Sequence, residues 1–223
     1  MKKLIISALA AVICAAALSA QDLPDNDWAH FGRYAQANSE VTAKPLAVLM
    51  GDSITDGWFS QDPDFFAANN LLGRGISGEV TSHMVVRFRR DVVDHHPKYV
   101  VILAGINDIA RNNGYIALEN TMGNIISMCE IAKANKIKPV LCTLVPSAYI
   151  KWRPALKDTK EQVAKLNAMI KEYAKAKHYK VVDYATVLAD AKGETRADLS
   201  GDSVHPNLAG YKLMEDALMK VIR

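Results

Sequence analysis

The sequence has few cysteines and only a small excess of basic over acidic residues. Only three of its 223 residues are cysteine, and no pair of them has the spacing of a metal site. The formal net charge is +3, and removal of the two lysines within residues 1–20 would leave +1 (3 − 2), which argues against a nucleic-acid partner. After residue 20 there is no internal repeat, linker or low-complexity run. We therefore expect a single domain over residues 21–223.

Long apolar runs are also scarce, and the most extended one lies at the N terminus. The basic stretch "MKK" precedes the uncharged run "LIISALAAVICAAAL", and polar sequence follows Ala20. This pattern predicts a cleavable signal peptide over residues 1–20, a mature chain that begins at Gln21, and a periplasmic or secreted protein. The run is short for a membrane anchor, and Ile13 before Cys14 does not fit a lipoprotein signal, so we expect no stable membrane insertion.

Neither a disulfide nor a metal centre is favoured in the rest of the chain. Cys129 lies in a helical pattern and Cys142 in an apolar strand pattern, so buried free thiols are the preferred interpretation. Export would still permit a disulfide between them, and this alternative stays open. Asp94, His95 and His96 stand together at the end of a predicted helix, where such side chains suit the helix dipole. Because no third ligand type is near them in sequence, we predict no metal site.

Short apolar runs alternate with amphipathic segments along the mature chain. Five apolar runs predict strands, over 45–50, 69–75, 98–105, 138–145 and 180–185. Hydrophobic residues at helical spacing predict four helices, near 79–94, 117–135, 158–177 and 206–222. Strands that are apolar on both faces suit a parallel sheet covered by helices on both sides. The alternation predicts a doubly wound α/β domain, in which ligands bind outside the carboxyl ends of the strands.

Polar residues with catalytic chemistry follow several of these strands. Ser53 comes at the turn after the first strand, and Asn107 follows the third. Asp202 and His205 lie three residues apart after the fifth strand, where Pro206 is expected to open the last helix. Each residue alone has a simpler explanation, such as a helix cap, a turn or a local Asp–His contact. Together they supply a nucleophile, a base, an acid that orients the base, and an amide donor for an oxyanion.

Two other short motifs are weak on their own. "GRGISG" (73–78) has the glycine pattern of a dinucleotide-binding turn, but it does not follow the first strand. The acids downstream, Asp91 and Asp94, lie in a helical pattern and not at a strand end. The segment around Ser53 departs from G-x-S-x-G because Thr55 replaces the second glycine. Gly78 keeps one role: it is expected to open the helix after the second strand, where a residue without a side chain can present its backbone N–H to an oxyanion.

Four motif blocks, in order, resemble the GDSL, or SGNH, hydrolase family. They are "GDSITDG" with Ser53, "RGISGEVT" with Gly78, "GIND" with Asn107, and "DSVHP" with Asp202 and His205. The first and third blocks look closest to the platelet-activating-factor acetylhydrolase-like bacterial branch. The resemblance implies a flavodoxin-like three-layer α/β/α sandwich with a five-stranded parallel sheet, the SGNH hydrolase fold. It also implies a catalytic triad of Ser53, Asp202 and His205, an oxyanion hole formed by Ser53, Gly78 and Asn107, and no cofactor.

Aromatic and basic residues near these blocks are candidates for substrate binding. Those after the nucleophile and in the loop after the fourth strand are Trp58, Tyr149, Trp152 and Arg153, and Arg74 and Arg111 are expected near the mouth of the site. An aromatic face beside a cation fits a sugar ring or another polar acyl carrier. Packing explains the same residues equally well, because Trp and Tyr often cover a core while keeping one polar contact.

The favoured function is a secreted serine esterase that hydrolyses short acyl esters, above all acetyl esters, on a small molecule or a glycan. The alternative enzyme is a lipid acylhydrolase, either similar to platelet-activating-factor acetylhydrolase or a lysophospholipase. A non-catalytic carbohydrate-binding module and a dinucleotide-dependent oxidoreductase are further alternatives, disfavoured by the intact catalytic set and by the position of the glycines. The sequence leaves the oligomeric state and the natural ester open.

Overall fold

A five-stranded parallel sheet forms the centre of the protein. The computed structural model describes residues 26–223, so the predicted signal peptide and Gln21 lie outside the described residues. The strands are β1 (Ala47–Gly51), β2 (Leu71–Gly75), β3 (Tyr99–Leu103), β4 (Lys138–Cys142) and β5 (Lys180–Val182), in the spatial order β2-β1-β3-β4-β5. All neighbouring pairs are parallel. The predicted strands and the fold class are confirmed, and most of the predicted runs extend a few residues beyond the observed strand ends.

Helices cover the sheet and connect its strands. They are α1 (Ala35–Ser39), α2 (Ser53–Gln61), α3 (Pro63–Ala68), α4 (Thr81–Asp91), α5 (Ile106–Ile109), α6 (Leu118–Ala134), α7 (Thr159–Lys177), α8 (Tyr184–Val187) and α9 (Leu208–Ile222). Helix α2 contacts α9, whereas α6 contacts both α4 and α7, so the helices form two layers. Every residue of β1 and β3 is buried between these layers, which explains their unbroken apolar runs. Within residues 26–223, no helix combines the length and apolar character needed to cross a bilayer.

The start of α9 differs from the sequence-based expectation. Pro206 was expected at the first helical position, but the helix begins at Leu208. Pro206 instead forms an isolated bridge with Ser200, and Asn207 caps the helix by accepting the N–H of Gly210 at 3.1 Å. The segment that carries Asp202 and His205 is therefore a closed turn before the helix.

Both described cysteines are free and buried. Cys129 lies on α6 and Cys142 ends β4, so each thiol belongs to a different layer of the core. Burial raises the pKa of Cys129 to about 12, which leaves it protonated and unreactive near neutral pH. The favoured interpretation of buried free thiols is confirmed.

Candidate active site

Ser53 lies where β1 passes into α2. It is the first residue of the helix, and Asp52 before it caps the helix by accepting the N–H of Ile54 at 3.0 Å. Gly51 permits this sharp turn because a Cβ there would stand 2.2 Å from Thr55 Oγ1 and 2.8 Å from the Leu103 carbonyl oxygen. The Ser53 hydroxyl is thereby held at the carboxyl edge of the sheet.

The turn before α9 brings His205 to Ser53 across 152 residues of sequence. Ser53 Oγ is 2.8 Å from His205 Nε2, and His205 Nδ1 is 2.6 Å from Asp202 Oδ2. Asp202 Oδ1 also accepts the backbone N–H groups of Val204 and His205, at 3.0 and 2.8 Å. Partial burial opposes ionisation of Asp202, but these hydrogen bonds outweigh it and lower the pKa of its carboxyl group. The arrangement can take a proton from Ser53 and stabilise the resulting imidazolium.

Gly78 and Asn107 lie close to each other, because the side chain of Asn107 donates to Glu79, the residue after Gly78. Gly78 was expected to open the helix after β2, but α4 begins at Thr81, and Gly78 occupies an exposed turn with φ of +82°. A Cβ at Gly78 would contact nothing within 4 Å, so the backbone conformation, and not space, favours glycine there. Asn107 is buried in α5, and its Nδ2 donates to the carbonyl oxygen of Glu79 at 3.0 Å.

Trp58 does not lie in the site, and the expectation that it binds substrate is wrong. Its side chain is 1% exposed and stacks between Phe65 and Tyr211, with ring centroids 5.6 Å from each. Its indole N–H donates to Glu215 Oε1 at 3.2 Å. Trp58 is one turn beyond Ser53 on α2, on the face that packs against α9, so it anchors the helix that carries the serine.

The loop after β4 places one aromatic ring against His205. Trp152 is 37% exposed, and its ring centroid lies 5.6 Å from that of His205 with an interplanar angle of 31°. Arg153 donates from Nε to the Ala110 carbonyl oxygen at 2.9 Å, which ties this loop to the end of α5. Tyr149 is 51% exposed on the same loop. Trp152 is therefore the aromatic residue of this loop that lies beside the His205 ring, whereas Arg153 is engaged with the backbone.

The two arginines expected near the mouth differ in environment. Arg74 is buried, with Nε donating to Asn38 Oδ1 at 2.8 Å and its guanidinium 4.8 Å from the Tyr34 ring centroid. It therefore packs inside the protein, and its expected place near the mouth is wrong. Arg111 is exposed and lies over the Tyr115 ring at 5.2 Å.

A buried ion-pair network beneath the site was missed by the sequence analysis. Arg87 on α4 is fully buried and pairs with Glu79 and Asp91, and it also donates to the carbonyl oxygens of Gly51 and Arg74. A charged residue inside the apolar stripe of α4, with an acid four residues later, was the available signal. Arg87 thus joins the ends of β1 and β2 to the turn that contains Gly78.

One group among residues 26–223 has the mutual distances of a metal site. It consists of His30, Glu79 and His83, and His30 Nδ1 lies 3.4 Å from Glu79 Oε1. Both Glu79 oxygens already accept hydrogen bonds from Arg87, at 2.9 and 2.8 Å from Nε, so a cation would compete with a buried guanidinium. We assign no metal to this group.

His95, one of the two histidines at the predicted helix end, contacts Asn38 Oδ1 at 2.9 Å.

Asp52, next to Ser53, is fully buried and incompletely hydrogen-bonded. Its Oδ2 is buried and has no hydrogen-bond partner among the described residues. Burial raises the pKa of Asp52 to about 7, despite the hydrogen bond from Ile54. The folded protein therefore binds a proton at Asp52 more tightly than the unfolded chain does, and stability falls as the pH rises from about 4 to about 7.

Replacement of Asp52 by asparagine is expected to raise the melting temperature at pH 8 but not at pH 4. At pH 8 the wild-type protein holds a buried, ionised carboxylate, whereas at pH 4 the folded carboxyl group is neutral and the amide has little advantage. Each unit of pKa shift is equivalent to about 1.4 kcal/mol, so the gain at pH 8 should be several degrees. Melting curves of both proteins from pH 4 to pH 8 measure it, and an equal difference at both extremes would contradict the assignment.

Comparison with known proteins identifies the family. The sequence profile of the GDSL-like lipase/acylhydrolase family matches residues 49–213. A crystal structure of a GDSL-like lipase from Bacteroides thetaiotaomicron VPI-5482 is 40% identical, covers 87% of this chain and 98% of its own, and superposes with a TM-score of 0.84. An acetylxylan esterase of Geobacillus stearothermophilus is 24% identical over 68% of this chain and 71% of its own length. The match to the uncharacterized lipoprotein YqeF of Bacillus subtilis (strain 168), 32% identical, spans 34% of this chain and only 33% of that protein. The chain belongs to the GDSL-like lipase/acylhydrolase family, whose members hydrolyse ester bonds.

Proposed function

We propose that this protein is a serine esterase that removes short acyl groups, above all acetyl groups, from carbohydrate esters. The observation that carries the proposal is the hydrogen-bonded chain from Ser53 Oγ through both ring nitrogens of His205 to Asp202. Such a chain has the geometry of a nucleophile, its base and the acid that orients the base. Membership of the family supports ester hydrolysis as the reaction, and the contacts among Ser53, His205 and Asp202 support the role proposed for each residue.

In the first half of the reaction, Ser53 Oγ attacks the ester carbonyl carbon while His205 Nε2 takes the hydroxyl proton. Asp202 accepts a hydrogen bond from the N–H group at His205 Nδ1 and stabilises the imidazolium. The bond between the carbonyl carbon and the leaving oxygen then breaks, and His205 donates its proton to that oxygen, which departs as the alcohol. In the second half, His205 deprotonates a water molecule that attacks the acyl carbonyl carbon. The bond from that carbon to Ser53 Oγ then breaks, His205 returns the proton to Oγ, and the free acid leaves.

The negative charge on the tetrahedral intermediate needs donors aimed at the carbonyl oxygen. We assign them to the backbone N–H groups of Ser53 and Gly78 and to the side-chain amide of Asn107. Asn107 is buried, so its amide acts in a low-dielectric setting where such a donor is strong. No cofactor enters this reaction.

Two observations favour a carbohydrate ester. Trp152 offers a partly exposed indole beside His205, and an apolar aromatic face with one polar edge suits a sugar ring. The acetylxylan esterase of Geobacillus stearothermophilus is a sequence relative over 68% of the chain. Tyr149, exposed on the same loop, is a second candidate contact.

We further propose that the protein acts in the periplasm or outside the cell. The support is the sequence of residues 1–20, with basic residues before a short apolar run. The mature protein would then be the single domain that begins at Gln21.

A chain-length series of p-nitrophenyl esters from acetate to octanoate tests the acyl preference. We expect kcat/KM to be highest for acetate and to fall at least about tenfold by octanoate, because each misplaced methylene costs up to a few kcal/mol. Release of acetate from acetylated xylo-oligosaccharides, measured beside the series, tests the carbohydrate. Activity that rises toward octanoate would instead favour a lipid acylhydrolase, the alternative consistent with the GDSL-like lipase relative.

A further inference from the structure

Asn112 forms hydrogen bonds with Gly78 and Asn107, two of the proposed oxyanion-hole residues, and with Trp152, whose ring lies against His205. It follows α5, and its side chain is half-buried. Its Nδ2 donates to Asn107 Oδ1 at 2.8 Å and to the Gly78 carbonyl oxygen at 3.3 Å. Its Oδ1 accepts the indole N–H of Trp152 at 3.2 Å. One amide therefore contacts three elements of the site at once.

The two ends of this network fix the orientation of both amides. An indole nitrogen can only donate, so the oxygen of Asn112 must face Trp152 and its nitrogen must face Asn107. The oxygen of Asn107 is then turned toward Asn112, and its nitrogen toward the Glu79 carbonyl, which can only accept. Reversal of either amide would place two donors or two acceptors against each other.

This orientation matters for the amide of Asn107. Its Nδ2 carries two protons, and one of them is engaged by the Glu79 carbonyl oxygen. In the proposed mechanism the second proton is the one left for the oxyanion, and the hydrogen bond from Asn112 Nδ2 to Asn107 Oδ1 helps to hold the amide in this orientation. A reversed Asn107 would present a carbonyl oxygen to the developing negative charge, which would oppose the reaction.

We propose that Asn112 is a positioning residue, which holds the Asn107 amide in its donating orientation and couples it to Trp152. The proposal rests on the hydrolytic mechanism given above and deepens it. A substrate that shifts the indole of Trp152 then acts, through Asn112, on the group that stabilises the transition state. The stacking surface and the oxyanion hole are in this way one connected unit.

Asn112→Asp is the sharpest single substitution, because it is nearly isosteric and keeps the acceptor for Trp152. A carboxylate cannot donate to Asn107 or Gly78, so we expect kcat on p-nitrophenyl acetate to fall by about 10- to 100-fold, below the effect of losing a whole donor. KM and the melting temperature should change little. Asn113→Asp adds the same charge at the adjacent, exposed residue and is the matched control, with an expected change under about twofold.

A double-mutant cycle separates positioning from a structural role. Asn107→Ala alone should cost about 100- to 1,000-fold in kcat. Asn112→Ala alone should cost about tenfold, but added to Asn107→Ala it should cost under about twofold, since the amide it positions is gone. Independent effects that multiply in the double variant, or an Asn112→Asp variant as active as Asn113→Asp, would overturn the proposal.

Ser53→Ala, assayed in the same series, keeps the two proposals distinct. If this variant hydrolyses the ester at the wild-type rate, the proposed function is wrong and the role of Asn112 falls with it. If Ser53→Ala is inactive while the effects at Asn107 and Asn112 multiply, the hydrolytic mechanism stands and only the role of Asn112 is wrong.

Discussion

Replacement of Ser53 by alanine is expected to lower kcat for p-nitrophenyl acetate by roughly 10⁴- to 10⁶-fold, the range for loss of a nucleophile from a serine triad. No other hydroxyl among the described residues is hydrogen-bonded to a histidine ring that also contacts a carboxylate. The fold should be unaffected, because the helix cap is supplied by Asp52 and not by Ser53. Steady-state rates together with melting curves of both proteins measure these effects.

Ser60→Ala is the matched control for this substitution. Ser60 lies on the same helix, is exposed, and donates to the Asp56 carbonyl oxygen at 3.0 Å. It should retain the wild-type rate within about twofold, since surface substitutions of this kind are nearly neutral. A fluorophosphonate reagent gives an independent measurement, because it should add mass to the wild-type protein and the Ser60 variant but not to the Ser53 variant. Labelling that persists in Ser53→Ala would identify a different nucleophile.

The strands of the sheet and their order along the chain could be predicted because a strand buried on both faces appears in the sequence as a nearly continuous apolar run. The run over 45–50 that became β1 is apolar throughout, the run over 98–105 that became β3 is apolar except for Lys98 at its start, and both strands are entirely buried. The segment of Asp202 and His205 lies at the edge of the sheet where the sequence placed it, beside Ser53. The predicted start of the helix after it was wrong, because Asn207 is the N-cap of α9 and Pro206 precedes the helix. Helix starts are decided by which side chain captures a free N–H group, and such local competition is hard to read from sequence.

Trp58 and Asn112 show where sequence patterns fail at the level of the site. Trp58 follows the nucleophile closely in sequence, but helical geometry turns it toward α9 and into the core. Asn112 stands in "RNNG", which predicts only a turn, and its contacts reach Gly78 and Trp152, 34 and 40 residues away. Long-range polar contacts of this kind have no periodicity, so only the folded structure reveals them.

Arg87→Met is expected to lower the free energy of unfolding by about 3–5 kcal/mol, because it leaves two buried carboxylates without their partner. Glu79 and Asp91 each pair with Arg87, and their side chains are at most 3% exposed. For a domain of this size the loss corresponds to a fall in melting temperature of roughly 10 °C or more. Arg90→Met, at an exposed position of the same helix whose nearest ion-pair distance is 4.0 Å, should change it by about 2 °C or less.

A rescue variant shows whether Arg87→Met loses stability because two buried carboxylates are left unpaired or because the packing of the guanidinium is lost. Adding Glu79→Gln and Asp91→Asn to Arg87→Met removes both unpaired charges and should recover much of the lost stability, since a buried network replaced as a unit costs less than one that is broken. If the triple variant is no more stable than Arg87→Met, packing of the guanidinium and not charge is the dominant contribution to stability.

Arg87 also donates hydrogen bonds to the Gly51 and Arg74 carbonyl oxygens at the ends of β1 and β2. We therefore expect the triple variant to hydrolyse esters more slowly than the wild-type protein. Without the Arg87 guanidinium, the turn that contains Gly78 is no longer connected to the end of β1, the strand that precedes Ser53.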